Sequence, residues 1–210
     1  MNWRWLLVIL ILYGAWNHWH NRPQSYPPGA LVNSQPRQSD VAPSISHAPP
    51  EQTDGAAVGS IPARNGYRVT ALQSFSLEAR VLGAEHYRFD READIAPVDL
   101  PLGWGPMSDQ SVLDRIEISQ AGRFYRWHVD EFPIPRHDIE VNSANMHMIP
   151  ANDTIASRLN SVRAGQVVKF SGYLVEVTAT DGWRWRSSLT REDTGAGACE
   201  LVWVEKFEVE

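Results

Sequence analysis

Hydrophobic and polar positions follow three different rules along this chain. From Trp5 to Trp16 the run WLLVILILYGAW is apolar without interruption, and Trp3 and Trp19 extend it to 17 residues. As a helix this spans about 25 Å, enough for a thin bilayer, and Trp3, Trp5, Trp16 and Trp19 form the aromatic belts expected at headgroup depth. No small-x-small cleavage site follows, so the pattern predicts a retained anchor over residues 1–20 rather than a removed signal. From 21 to 66 the periodicity vanishes. Eight Pro and a single aromatic, Tyr26, in 46 residues predict a disordered tether, because such a segment buries too little apolar surface to offset chain entropy.

Period-two alternation begins after residue 67. Phe75, Leu77, Ala79 and Val81 alternate with polar residues, and Gln166–Val177 is apolar on both parities, which predicts a central strand. Trp183–Thr190 alternates again, and Cys199–Val209 places Leu201, Trp203, Phe207 and Val209 on one parity. The Ala179–Gly182 turn (ATDG) predicts a hairpin between the second and third of these runs. Short helices are expected after a Ser108 or Asp109 cap and after an Asn152 or Asp153 cap. The stretch from Asp90 to Met107, with Pro97 and Pro101, reads as irregular. The expected fold is mostly β, a small antiparallel barrel of OB or related type, with a two-sheet sandwich as the alternative.

Charge and cysteine content narrow the function. Residues 67–210 hold 15 basic and 22 acidic side chains, a net of 15 − 22 = −7, which disfavours nucleic acid as a partner. One Cys in 210 residues excludes a disulfide scaffold and paired-Cys zinc ribbons. His128, His137, His147 and Cys199 are metal-ligating types, but none share a short ligand spacing, so neither a metal nor a cofactor is expected.

The segments GWGPMSDQSVLD (103–114), SANMHMIPAN (143–152), GQVVKFSGYLVEV (165–177) and WRWRSSLTREDTGAGACELVWVE (183–205) resemble an uncharacterised family of bacterial membrane-anchored proteins. The resemblance covers residues 72–206. It implies an envelope setting and supplies no catalytic residues. Together with the apolar run it gives an expected topology: a single pass through the bacterial inner membrane, with the N-terminus cytoplasmic and the C-terminal domain periplasmic.

Several residues are candidates for chemistry. Asp193-Thr194-Gly195 resembles an aspartic-protease signature but has no second copy and no preceding apolar strand. His147, with Ser143, Asp193 or Cys199, is the basis for a hydrolytic alternative, although no G-x-S-x-G elbow is present. In the Trp183-Arg184-Trp185-Arg186 alternation both Arg share a face; they form either an anion-recognising strip or ion pairs with Glu176 or Glu200. Trp104, between two Gly, is either a stacking platform or a plug in the barrel mouth. The leading expectation is a binding or assembly module for an envelope protein or glycan, tethered to the bilayer.

Overall fold

Barrel closure depends on one long strand with partners on both edges. The computed structural model describes residues 48–54, 61–62, 64–190 and 199–210. The anchor segment with Trp3, Trp5, Trp16 and Trp19, and the loop containing Asp193, lie outside them. Among the described residues no helix is long and apolar enough to cross a membrane.

Strand β8 (Val167–Thr178) pairs antiparallel with β2 (Arg68–Val81) along one edge and with β10 (Glu200–Val209) along the other. β2 continues to β4 (Val98–Gly103), β4 to β7 (Ser143–Pro150), and β7 runs parallel to β10. The ring β2-β4-β7-β10-β8 thus closes into a five-stranded barrel, rather than the two-sheet sandwich. Phe75, Leu77, Val98, Leu100, Met146, Met148, Phe170, Leu174, Val202 and Phe207 fill its interior. Helix α3 (Asp153–Ser161), in the β7–β8 crossover, adds Ile155 and Leu159 to that core. Asn152 caps it by accepting the Ile155 N–H at 3.0 Å. The opposite parity of β8 and β10 supplies a second cluster outside the barrel wall, with Val175, Val177, Leu201 and Trp203 packed under Ile95 and the partly buried Trp183 and Trp185.

The remaining elements decorate this ring. β1 (Glu51–Asp54) pairs with β2, and β3 (Glu85–His86) with β4. α1 (Gln110–Leu113) is capped by Asp109, and a hairpin of β5 (Glu117–Ala121) and β6 (Phe124–His128) follows. α2 (Arg136–Val141) leads into β7, and β9 (Arg184–Arg186) pairs with β8 through the expected hairpin at Ala179–Gly182.

Four differences from the sequence expectation have physical causes. β1 lies inside the segment read as tether; its pairing is through backbone and polar side chains such as Asp54, whose Oδ1 accepts from Gln73 Nε2 of β2 at 2.7 Å, and so leaves no apolar pattern. β4 lies in the stretch read as irregular, since Pro101 sits opposite Asn145 and offers the ladder only its carbonyl, which accepts the Leu82 N–H at 2.8 Å. The third predicted run is a strand only over Arg184–Arg186. Finally, Leu201 and Trp203 face outward whereas Phe207 faces the core, because the register shifts between Val204 and Lys206 and the extra residue flips the parity.

That bulge requires Gly172. A Cβ there would lie 1.8 Å from the Trp203 carbonyl oxygen, and backbone cannot yield as a side chain does. Gly172→Ala is expected to cost about 2 kcal/mol of stability through overpacking, read as a lower urea midpoint at unchanged slope. An unchanged midpoint would show that β8 and β10 do not approach this closely.

Candidate functional site

A cleft of about 470 Å³ opens on the outer face of β7. Five segments line it: Tyr87, Asp90 and Glu92 from the β2–β4 connection, Gly122, Arg123 and Phe124 from the β5–β6 hairpin, His147 from β7, Trp185 and Arg186 from β9, and Cys199 just before β10. Alternation along β7 sends Met146 and Met148 into the barrel and leaves His147 on the outer face. Asp99 of β4 is its direct cross-strand partner.

The floor is a charge network around Asp99, which is completely buried. Its Oδ1 lies 3.1 Å from Arg123 Nη1 and 2.9 Å from His147 Nδ1. The His147 contact is at ion-pair distance, but its N–H direction is off the line of a regular hydrogen bond. Arg123 Nη2 also binds Asp90 at 2.8 Å, and Nη1 donates to the Ala96 carbonyl at 3.0 Å. Burial works against the Asp90 charge, but the bonds from Arg123 and the Ala93 N–H outweigh it and hold the carboxyl below its usual range.

Arg123 is held as firmly by its backbone as by its head. It occupies the hairpin turn with φ of 65°, next to Gly122 at 59°, the pair of left-handed residues that a two-residue turn with the sheet's twist demands. Tyr87 Oη accepts its N–H at 3.0 Å, and Asn145 Nδ2 donates to its carbonyl at 3.0 Å. Its guanidinium lies 4.1 Å from the Tyr87 ring centroid and 5.6 Å from that of Trp185, within cation–π range. The Trp185 ring in turn packs on the His147 imidazole at 4.8 Å.

No known protein family, curated protein or solved structure matches this chain. The chemistry of the cleft therefore follows from the residues themselves, and the structure separates the sequence candidates.

Ser143 is on the same strand face as His147 but four residues away, about 13 Å along the strand, and its Oγ is occupied by the Ile139 carbonyl at 2.6 Å and by Tyr125 Oη. Burial pushes the Tyr125 hydroxyl up to about 12, so it stays a neutral partner there. His128 and His137 are exposed on the hairpin and on α2, away from the cleft. Among the described residues no three His, Cys, Asp or Glu gather for a metal.

Arg184 and Arg186 both bind Glu176, through Nε at 2.8 Å for Arg184 and through Nη1 at 2.9 Å for Arg186. Partial burial raises the Glu176 carboxyl, and the two guanidiniums more than reverse this, so it is held below its usual range. Only Arg186 reaches the cleft. Trp104 is 2% exposed within the barrel core, so its ring has no face open to a ligand. Asp99, Arg123 and Tyr87 are site residues that sequence reasoning missed. The legible signal for Asp99 was the Val98, Leu100, Leu102 alternation around it.

Cys199 lines the cleft and is half buried. Burial first, and the neighbouring Glu200 carboxylate second, push its thiol up to about 11. It is therefore protonated at neutral pH and a poor nucleophile. Iodoacetamide at pH 8 should modify the folded chain about 100-fold more slowly than the urea-unfolded chain, with the rate rising about tenfold per pH unit between 7 and 9. Equal rates in the two states would show an activated thiol instead.

Proposed function

We propose that the domain is a saccharide-binding barrel of the OB type, carried on an N-terminal membrane anchor in the bacterial envelope. The ring order supports the OB reading: the third barrel strand, β7, runs parallel to the fifth, β10, and a helix fills the third-to-fourth crossover. Barrels of this type bind oligonucleotides and oligosaccharides on the face of their second and third strands, between the loops that flank it. Here those strands are β4 and β7; the cleft meets the second of them at His147, whose cross-strand partner on β4 is Asp99.

The observation that carries the saccharide reading is the pairing of aromatic rings with a pre-ordered polar floor. Tyr87, Phe124 and Trp185 supply ring surfaces, and Phe124 is 41% exposed. The apolar C–H faces of a sugar ring stack on such surfaces, while its hydroxyls need fixed donors and acceptors. Glu92 and the Asp90–Arg123 pair provide these at the same opening. Because Arg123 and Arg186 are each matched by a carboxylate, the cleft lacks the surplus positive charge that a polyphosphate backbone requires. The anchor reading is supported by the uninterrupted apolar run from Trp5 to Trp16 and its flanking Trp residues.

Cosedimentation of the full chain with purified peptidoglycan sacculi tests this proposal. The chain is expected to pellet with sacculi, and Trp185→Ala to bind about tenfold more weakly with its fold intact, since a lost aromatic contact is worth about 1.4 kcal/mol. Failure of the chain to pellet, or equal binding by Trp185→Ala, would refute the saccharide reading.

A further inference from the structure

His147 is held as a general base is held, and nothing else in the cleft uses it. Its Nδ1 side faces the buried Asp99 carboxylate, Asp99 is itself fixed by Arg123, and Trp185 packs on the ring. A carboxylate on one side of an imidazole selects the tautomer whose other nitrogen carries a free lone pair. That nitrogen, Nε2, belongs to a side chain that lines an open cleft.

Among the described residues that line the cleft, none is a competent nucleophile. Ser143 is about 13 Å away along the strand, and Cys199 is protonated at neutral pH. Water is the remaining nucleophile. The bond attacked must also be one that a single base and a cation are able to cleave. Glycoside cleavage calls for a carboxylic acid kept protonated beside a second carboxylate; the cleft lining has two carboxyls, Asp90 and Glu92, and Asp90 is committed as an ion to Arg123. An ester needs only a base for water and a charge to face the oxyanion. Arg186 lines the same cleft, binds Glu176 through Nη1 alone, and keeps other N–H donors.

We infer that the cleft hydrolyses O-acyl esters on the saccharide it binds, with His147 as general base, Arg186 facing the oxyanion, and Asp99 as a positioning residue. This inference rests on the saccharide reading. In the first step His147 Nε2 takes a proton from water as the water oxygen bonds to the ester carbonyl carbon, and the carbonyl oxygen becomes an anion facing Arg186. In the second the carbon–oxygen bond to the sugar breaks, and the proton on His147 passes to the departing sugar oxygen. One water is consumed, a carboxylic acid and a free hydroxyl are released, and no electrons are exchanged with a cofactor. The off-line Nδ1–H direction is of the kind that tightens when substrate closes a site.

The test is acetate release by the full chain from an O-acetylated N-acetylglucosamine oligomer, run beside binding of the same oligomer. Saturable turnover is expected. His147→Ala should lower it about 100-fold or more with binding retained, and added imidazole should restore part of the rate, which a merely unfolded variant does not allow. Asp99→Asn should lower kcat more than it changes KM and move the ascending limb of the pH–rate profile to lower pH. His128→Ala, which removes an exposed imidazole, should leave the rate unchanged. Binding without acetate release would overturn the inference and leave the saccharide reading standing. Absence of both would overturn both. An equal loss in His128→Ala, or no imidazole rescue of a folded His147→Ala, would show that the rate does not come from the cleft.

Discussion

A carboxylate with no access to water has to be compensated by groups brought to it, and the cleft face of this protein is organised by that requirement at Asp99. Removing such a charge from water costs several kcal/mol unless it is paired in good geometry. The compensation comes mainly from Arg123, on a hairpin inserted between the barrel strands that bear Asp99 and His147. To reach Asp99, Arg123 adopts a left-handed backbone at the tip of that hairpin, and Tyr87 and Asn145 satisfy its N–H and carbonyl. One buried charge thus ties the β2–β4 connection, the β5–β6 hairpin and β7 into a single site. His147 and Trp185 inherit their positions from this arrangement.

The barrel makes such a burial feasible. Closure through β8 buries one parity of each strand in the interior and leaves the opposite parity available to build an outer layer. On β8 and β10 that layer is apolar and sealed by Trp183 and Trp185. On β4 and β7 it is polar, with Asp99, Asn145 and His147 in register. The bulge after Val204 returns Phe207 to the core. These polar side chains are therefore displayed on a rigid wall, while the connections supply aromatic rings at its rim.

What the sequence disclosed and what it hid divide along physical lines. Strands with strong apolar alternation, β2, β8 and β10, were legible, as were the Asp109 and Asn152 caps and the hairpin before β9. The strands that carry the site were not. β4 reads as a loop because Pro97 precedes it, Pro101 interrupts it and Gly103 ends it, and β7 contains polar residues at the outward positions where a strand of the core would be apolar. His147 stood out by its surroundings in the sequence, but its partner Asp99, 48 residues earlier, is brought to it only by strand pairing. The Arg184 and Arg186 side chains remained open between two readings until their shared acid, Glu176, was located across the ladder. Arg123 had no signal beyond a Gly-Arg turn, since its role depends on three segments distant in the chain.

The central claim is that the ligand engages the face built around Asp99 and Arg123. Hydrogen–deuterium exchange of the full chain, with and without peptidoglycan glycan strands, tests it most directly. The account predicts that added glycan slows exchange in the peptides spanning 85–96, 117–128 and 143–150, which hold the connection, the hairpin and β7, and leaves 48–54 and the outer half of β8 unchanged. Protection confined to β1 and β2, or none at all, would contradict it.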